Sequence, residues 1–329
     1  MTNTEFDLIS IGDTTTDVFL GIRDASIERR PKERGQELCL RYADKIGVDG
    51  KKEIEGVGNA ANVAVGCARL GLKSSLWTIL GNDEDAKRIA TDVFPKEGVS
   101  GSYVEFDTKK RTNYSVILSY RAERTILVYH APRTYKFPEL GKSNWVYFTS
   151  MGNGWEEVVG DLKEYVTRNS VKLAFNPGTY QLMPGSLTAL KEVLSFTEVI
   201  FLNAEEAMKI LETDSKIINN LLEGIQKLGA KIVVITDGSK GAFAKTNSEL
   251  FFAPTVPGRP IERTGCGDSF AAAFLAALFN QKDLSEALLW GSINAASVIQ
   301  YIGSRAGLLA KDEMEKRVKK YKKYKAKIL

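Results

Sequence analysis

Short runs of β-forming residues alternate with helical stretches along most of this chain, and this alternation restricts the fold more than any other feature. The runs are mostly apolar, as in strands buried on both faces of a parallel sheet. In chain order they are Phe6–Ile11, Ser75–Leu80, Trp145–Thr149, Val171–Phe175, Val199–Leu202 and Lys231–Thr236. Between them, segments such as Ala60–Leu70 and Ile217–Leu228 repeat apolar residues at helical spacing. The sequence therefore predicts an α/β fold with a doubly wound, mostly parallel sheet in three layers.

Two stretches, 17–55 and 103–131, interrupt this order. They contain strand-like pieces without a helix of useful length, namely Glu37–Arg41, Tyr114–Ser119 and Thr125–Tyr129. We expect the two stretches to form one small β-sheet that covers the ligand edge of the core as a lid. The core then comprises residues 1–16, 56–102 and 132–329. Surface hairpins are the alternative interpretation, and an exposed face of the lid sheet would offer a contact for a homodimer.

Composition and charge narrow the class of protein. Hydrophobic residues make up 43% and charged residues 26% of the chain, as in ordinary globular proteins. Residues 311–327 carry nine Lys/Arg and three Asp/Glu, so their local charge of +6 leaves about −2 for the rest of a chain whose total is +4. We therefore expect a solvated terminal helix and no nucleic-acid partner. No long apolar run, signal peptide or paired cysteine motif is visible, which predicts a cytoplasmic protein without a membrane partner.

The turn Gly265-Cys266-Gly267-Asp268 is the most informative motif in the chain. Its two glycines lead into ten consecutive apolar or small residues from Phe270, which indicates a helix buried on all sides. Backbone N–H groups at the start of such a helix form an anion hole, because no Cβ prevents an anion from approaching them. Asp268 would then accept a proton from a hydroxyl that attacks a phosphoryl group. Alone, the same Asp would be interpreted as a helix N-cap.

The segment Gly56–Gly71 contains the pattern G-x-G-x-x-A, which is found in dinucleotide-binding folds. That interpretation is rejected because the fingerprint must follow a buried strand, and Lys51–Glu55 is strongly charged. The glycines, Gly58 among them, instead allow a ligand to lie against the start of a helix, where Asn62 offers hydrogen-bond donors and an acceptor.

Other candidates follow predicted strands, where a parallel sheet places its ligands. Asp17 can accept hydrogen bonds from two hydroxyls of a polyol, or stabilise a turn. Asn203 and Glu206 can face a metal-bound phosphate, although the same pair is close to a capping box. Thr236–Gly241 can line a phosphate path or form a simple turn. His130 is the only histidine, so catalytic triads and multi-histidine metal sites are hard to build, and a surface position is expected.

Taken in order, these motifs resemble the PfkB, or ribokinase-like, family of carbohydrate and nucleoside kinases over almost the whole chain. The resemblance implies ATP and Mg²⁺ as cofactors and a ribokinase-like fold with a β lid. It implies these roles: Asp17, Gly58 and Asn62 bind substrate; Asn203, Thr236, Gly238, Gly241 and Asn294 bind nucleotide; Glu206 serves the metal through water; Gly265, Cys266 and Gly267 form the anion hole and Asp268 is the base.

Three departures from the family pattern stand out. Val57 replaces one of a usual glycine pair and Cys266 replaces the usual Ala, and both changes leave the backbone open to a ligand. Glu262-Arg263 replaces the usual Asp-Thr, which in many relatives helps to hold a monovalent cation. The resemblance therefore does not carry potassium dependence over to this chain.

The resulting hypothesis is an ATP-dependent kinase that phosphorylates a hydroxyl of a sugar. A nucleoside kinase is the first alternative and would require base stacking by Phe19, Phe106 or Tyr114. A phosphosugar kinase would require a cationic clamp, with candidates Arg23, Arg29, Arg30 and Arg124. A non-catalytic sugar-sensing protein is the third, against which stands the intact Asp268.

Overall fold

The structure is a computed structural model that describes residues 5–29, 36–121 and 123–329. The strands are β1 Phe6–Ile11, β2 Thr15–Ile22, β3 Ser26–Arg29, β4 Gln36–Cys39, β5 Val48–Val57, β6 Ser74–Leu80, β7 Val99–Phe106, β8 Asn113–Tyr120, β9 Glu123–Tyr129, β10 Ser143–Phe148, β11 Lys172–Phe175, β12 Val199–Asn203, β13 Ile232–Thr236, β14 Ala242–Lys245, β15 Leu250–Ala253 and β16 Lys327–Ile328. The α-helices are α1 Asn59–Arg69, α2 Glu84–Arg88, α3 Phe94–Lys96, α4 Val159–Asn169, α5 Leu187–Leu194, α6 Ala204–Ile210, α7 Ile218–Lys227, α8 Cys266–Phe279, α9 Leu284–Val298 and α10 Lys311–Lys320.

A single large sheet forms the centre of the molecule. Its strand order is β16-β15-β14-β13-β12-β11-β10-β1-β6-β7. From β7 to β13 neighbouring strands are parallel, and the last three strands add to one edge in antiparallel fashion. The six predicted runs all lie in the parallel part, with ends shifted by at most two residues, because buried parallel strands are apolar on both faces.

Helices cover both faces of this sheet, as the doubly wound prediction requires. On β1, Leu8 packs into one core with α1, α8, α9 and Met314 of α10. Its neighbour Ile9 points to the opposite core, which is built from α4, α5, α6 and α7. Alternate residues of a strand face opposite sides of a sheet, so the two cores complete three layers. The predicted three-layer α/β fold is confirmed.

The two interrupting stretches supply a second sheet, with the order β5-β2-β8-β9. Strand β2 pairs with β5 in antiparallel and with β8 in parallel fashion, so residues distant in sequence meet in one layer. We call this four-stranded sheet the lid. The piece predicted at Glu37–Arg41 does not join it: among the described residues, β4 pairs with β3 in a separate two-stranded ribbon. The large-sheet strand β7 extends through Phe106, into the stretch predicted to start at 103.

The basic C-terminal region packs against the body instead of standing free. Met314 of α10 is fully buried in the core beside α8 and α9, and β16 pairs with β15 at the edge of the large sheet. The predicted terminal helix therefore exists, with exposed lysines on the outside and Met314 and Val318 packed against the core. Among the described residues, no helix combines the length and the apolar character needed to cross a membrane.

Candidate active site

A cavity of about 560 Å³ opens between the lid and the carboxyl ends of the parallel strands. The lid contributes side chains from β2, β8 and β9. The core contributes the starts of α1 and α8 and the residues that follow β10, β11, β12 and β13. The sequence-predicted residues on its wall are Asp17, Gly58, Asn62, Asn203, Glu206, Thr236, Gly265, Cys266, Gly267 and Asp268.

The turn before α8 has the geometry expected of an anion hole. Gly265 is the N-cap residue with φ of +75°, and a Cβ on it would lie 2.3 Å from the Cβ of Ser304. Gly267 borders open space, since a Cβ placed there would meet no atom within 4 Å. Two glycines thus serve two needs, a left-handed turn and free access to the helix N-terminus.

Asp268 lies at the centre of this site and is not the helix cap. It is the third residue of α8, and its side chain is 7% exposed. Its Oδ2 accepts a hydrogen bond of 2.8 Å from Nδ2 of Asn62, and Oδ1 of Asn62 accepts one of 2.8 Å from the hydroxyl of Ser304. Burial raises the pKa of Asp268 to about 6, although the Asn62 hydrogen bond opposes the shift. A carboxylate with that pKa can act as a base at neutral pH.

The start of α1 brings Asn62 to Asp268. Gly58 caps this helix with φ of +107°, and a Cβ on it would approach the carbonyl oxygen of Asp13 to 2.7 Å. The strand before it, β5, belongs to the lid and carries exposed charged residues. This arrangement agrees with rejection of the dinucleotide fingerprint, which requires a buried strand at that place.

Two aspartates after β1 border the cavity. Burial raises the pKa of Asp17 to about 6; a hydrogen bond from Ser115 opposes the shift, and the charge of Glu262 adds to it. Asp13, which sequence reasoning missed, is also buried: its Oδ2 accepts hydrogen bonds from the hydroxyl of Tyr135 (2.8 Å) and from the backbone N–H of Gly152 (2.9 Å). The signal that selected Asp17, a carboxylate just beyond the first strand, applies equally to Asp13.

The expectation that His130 lies on the surface is wrong. Its ring lines the cavity, with Nδ1 3.4 Å from Oδ2 of Asp13. The ring of Tyr180 lies 5.4 Å away, and Met183 completes this end of the cavity. Nothing in the local sequence marks Tyr180, which is brought in by the loop after β11.

Asn203 and Glu206 also line the cavity, at the N-cap and in the first turn of α6. They form a full capping box: the backbone N–H of Asn203 donates to Oε2 of Glu206, and the backbone N–H of Glu206 donates to Oδ1 of Asn203, both at 2.8 Å. Burial raises the pKa of Glu206 to about 7, and the charge of Asp268 contributes to the shift. The pair therefore caps a helix and also borders the cavity.

Three predicted nucleotide residues lie away from the cavity wall. Gly238 and Gly241 form the turn between β13 and β14, and a Cβ on Gly241 would meet the carbonyl oxygen of Ala253 at 2.3 Å. Asn294 is fully buried: it donates to the carbonyl of Ser269 (2.8 Å) and accepts from the N–H of Leu309 (3.1 Å). Its amide connects α9 with α8 and with the segment at Leu309.

The residues before the turn at 265–268 are linked to the lid. Oε1 of Glu262 accepts from the backbone N–H of Thr264 (2.8 Å) and from its hydroxyl (2.5 Å), and it lies 3.5 Å from Nε of Arg124 on β9. Arg263 lines the cavity beside them. Among the clamp candidates, Arg23 pairs with Asp49 at 2.5 Å within the lid.

The remaining aromatic and cationic candidates that the structure describes lie outside the cavity. Phe19 is buried in the protein, while Phe106 and Tyr114 are about half exposed on outer surfaces. Arg29 is exposed on the β3–β4 ribbon, and Arg30 falls outside the described residues.

The carboxylates fit a Mg²⁺ ion that is bound together with phosphates. Among residues 5–29, 36–121 and 123–329, no group of three His, Cys, Asp or Glu side chains is arranged to hold a metal alone. Mg²⁺ in phosphotransfer sites is usually held by one or two carboxylates, with phosphate oxygens and water completing the shell. Glu206 and Asp268 are two such carboxylates on one cavity wall, close enough for the charge of Asp268 to raise the pKa of Glu206.

The structure therefore combines a doubly wound core, a β lid and a buried carboxylate at a glycine-flanked helix N-terminus. The fold matches that of Arabidopsis thaliana ribokinase, solved with ribose and ATP, at a TM-score of 0.78 and 21% identity, covering 95% of this chain and 99% of that one. The predicted ribokinase-like fold is confirmed.

Family membership follows from the sequence comparison. The family model described as pfkB family carbohydrate kinase matches residues 52–311. An uncharacterized sugar kinase of Archaeoglobus fulgidus is 25% identical over 74% of this chain and 98% of its own length. A nucleoside kinase of Methanocaldococcus jannaschii is 27% identical over 80% of this chain and 86% of its own. The chain belongs to the pfkB family and is an ATP-dependent carbohydrate kinase, as predicted.

Proposed function

We propose that this protein transfers the γ-phosphate of ATP to a hydroxyl of a sugar bound beneath the lid, with Asp268 as the general base. The observation that carries the proposal is the position of Asp268, a buried carboxylate oriented by Asn62 at the glycine-lined start of α8 and facing the cavity. Phosphoryl transfer requires a group that accepts the proton of the attacking hydroxyl and donors that stabilise the charge on the phosphoryl group. A base and an anion hole on the same turn supply both.

In this mechanism Asp268 removes the proton from the acceptor hydroxyl. The hydroxyl oxygen then bonds to the γ-phosphorus while the bond to the β–γ bridging oxygen breaks, and ADP leaves. Backbone N–H groups of the turn at Gly265–Asp268 stabilise the charge on the transferring group. Glu206 would hold Mg²⁺ through water, and the bound ion would neutralise charge on the phosphates.

The two ends of the cavity suit two different ligands. Asp13 and Asp17 offer carboxylate oxygens to the hydroxyls of a polyol, with Gly58 and Asn62 beside them. Asn203 and Thr236 border the opposite side, where the triphosphate would extend from the anion hole. The acceptor therefore lies next to the lid, and Asp268 lies between the two ligands.

One observation favours a nucleoside as a second candidate acceptor. The predicted stacking residues lie outside the cavity, but His130 and Tyr180 place two rings at its lid end, where Ile126 and Val128 of β9 add apolar surface. A base could stack there while its ribose faces Asp17. A phosphosugar is less favoured, because Arg124 is already paired with Glu262.

A panel assay tests this function. ADP release from ATP-Mg is measured over sugars, sugar phosphates and nucleosides, with Asp17→Asn beside the wild type. We expect a sugar to stimulate release and Asp17→Asn to raise the KM for that sugar more than the KM for ATP. If no alcohol in a broad panel stimulates release, the non-catalytic sugar-sensing alternative is favoured instead.

The raised pKa of Asp268 predicts the pH dependence of the reaction. The base must be ionised to accept a proton, so kcat/KM for the acceptor should fall as pH decreases through about 6, where Asp268 and Asp17 both take up protons. A pH–rate profile from 5 to 8.5 measures this. A rate that stays constant from pH 7 down to 5 would contradict the assignment.

We also propose that the lid carries a homodimer contact. Tyr114, Leu127 and Tyr129 are 47%, 53% and 41% exposed, and the two tyrosine rings stack at 5.2 Å. They lie on β8 and β9, and β9 is an edge strand open to further pairing. Sedimentation velocity should show a dimer that Leu127→Lys weakens. A wild-type monomer at all concentrations would exclude this contact.

A further inference from the structure

Glu262 connects three parts of the molecule that meet near the anion hole. Its Oε1 accepts both hydrogen bonds from Thr264, which precedes the turn, and Oε2 accepts from the backbone N–H of Gly303 at 3.3 Å. The lid contributes Arg124, whose Nε lies 3.5 Å from Oε1. The side chains of Arg124 and Glu262 are 29% and 11% exposed, so solvent screens this pair less than a surface pair.

The segment around Gly303 lies between the lid and the catalytic turn. A Cβ on Gly303 would lie 2.1 Å from Cδ1 of Ile54 in the lid, and Nζ of Lys52 donates to the carbonyl of Ile302 at 2.8 Å. The next residue, Ser304, donates to Asn62, which orients Asp268. Direct contacts therefore join the lid to the residues that hold the base.

Arg124 is the charged residue by which β9 contacts Glu262. Strand β9 is at the edge of the lid and pairs only with β8. Nε of Arg124 is buried and makes no hydrogen bond among the described residues, and 3.5 Å is within ion-pair range but longer than a good hydrogen bond. A small further closure of the lid would complete that bond.

We propose that Arg124 and Glu262 form a latch that fastens the lid over the acceptor and fixes the turn carrying the anion hole. Both act as positioning residues, because their effect on the reaction passes through Thr264 and Gly303. The inference rests on the phosphotransfer function proposed above. It identifies a role for Glu262, one of the positions at which this chain departs from the pattern of its family.

Removing either charge should slow the chemical step. Arg124→Gln and Glu262→Gln should each lower kcat about tenfold, within the usual range of coupling between sites, and change the KM for ATP less than threefold. The Gln at 262 keeps an oxygen that can accept from Thr264, so this variant removes the charge without removing that contact. ADP release without an acceptor should rise relative to the acceptor-dependent rate, since a loose lid admits water.

A variant that carries both substitutions distinguishes a latch, in which the two side chains act as a pair, from two independent effects on kcat. If the two side chains act as one pair, Arg124→Gln combined with Glu262→Gln should have a kcat no more than about twofold below the slower single variant. Arg124→Lys keeps a positive charge and should recover much of the loss. The proposal would be overturned if the fold-losses in kcat of the two single variants multiply in the double variant. It would also be overturned if the only effect is a rise in the KM for the acceptor in Arg124→Gln.

Arg88 provides a matched control. It joins the same lid to the core by an ion pair with Glu55, at 2.6 Å, but it lies on α2 away from the anion hole. Arg88→Gln should leave kcat within about twofold of the wild type. If it slows the reaction as strongly as Glu262→Gln does, lid anchoring in general explains the effect and the specific latch is excluded.

Hydrogen exchange tests the latch without any acceptor. Backbone amides of β9 should exchange faster in Glu262→Gln than in the wild type or in Arg88→Gln, although position 262 lies outside the lid. This readout still applies if the proposed acceptor class is wrong. Unchanged protection of β9 in Glu262→Gln would overturn the latch and leave the role of Asp268 untouched.

Discussion

Asp268→Asn is expected to lower kcat for acceptor phosphorylation by about 10²- to 10⁴-fold, the usual contribution of a general base. The Asn side chain has nearly the same shape and can still accept the hydrogen bond from Asn62, so the variant removes the base with little change in packing. ATP affinity should not fall, because the substitution removes a negative charge next to the phosphates. Steady-state kinetics and ATP titration measure the two quantities.

The same variant should be more stable than the wild type at neutral pH. Burial raises the pKa of Asp268 to about 6, so the folded protein binds this proton more tightly than the unfolded chain does. The stabilisation from that proton is complete below the unfolded pKa and is lost as pH rises through about 6. Above that pH the buried charge destabilises the fold, and Asn removes it.

Asp161→Asn serves as the control for this substitution. Asp161 also lies in the first turn of a helix, α4, but it is exposed and outside the cavity. Its substitution should change neither kcat nor the pH dependence of stability. An Asp268→Asn enzyme with more than a tenth of wild-type kcat would exclude Asp268 as the base.

Gly267→Ala is expected to lower kcat by on the order of 100-fold or more while leaving the protein folded. Its Cβ would project into open space on the cavity wall, where the anion hole must receive a phosphoryl group. Position 267 is helical, so Ala should also raise the free energy of unfolding by roughly 0.5–1 kcal/mol. Activity and stability should therefore change in opposite directions, which kinetics and thermal unfolding can test.

Gly265→Ala is the matched comparison and should behave differently. At this position φ is +75°, and the added Cβ would collide with Ser304. A side chain in the left-handed region alone costs about 1–3 kcal/mol, so this variant should lose both stability and activity. If Gly267→Ala keeps full activity, the helix N-terminus does not receive the transferring group.

Motifs that are continuous in sequence were predicted well. The turn at 265–268 and the helix behind it follow from local composition, because two glycines before a wholly apolar helix have few structural uses. The parallel strands were also located to within two residues at either end. The signal in each case lies in neighbouring residues, whose effect on the backbone does not depend on the rest of the fold.

Contacts between distant residues could not be predicted in this way. Asn62 orients Asp268 across 206 positions of sequence, and Arg124 reaches Glu262 across the boundary between lid and core. No pattern in one sequence selects such a pair from the many polar side chains available. The packing of α1 against α8 brings the first pair together, and the position of the lid brings the second pair together.

Residue types with two uses account for the remaining differences. Asn294 matched a nucleotide motif, but its amide connects two buried helices, and Gly241 lies in a turn where Ala253 leaves no room for a side chain. At His130 the expected surface position was wrong, because the fold places its ring on the cavity wall. Burial decides between these uses, and burial is a property of the folded chain.

The amount of phosphorylated acceptor formed in a single turnover tests the central claim most directly. Wild-type protein and Asp268→Asn are each loaded with ATP-Mg to the same measured occupancy and then mixed with the sugar identified by the panel. The account predicts rapid product formation by the wild type and a rate at least 100-fold lower for the variant at equal ATP occupancy. Equal rates of product formation in the two proteins would contradict it.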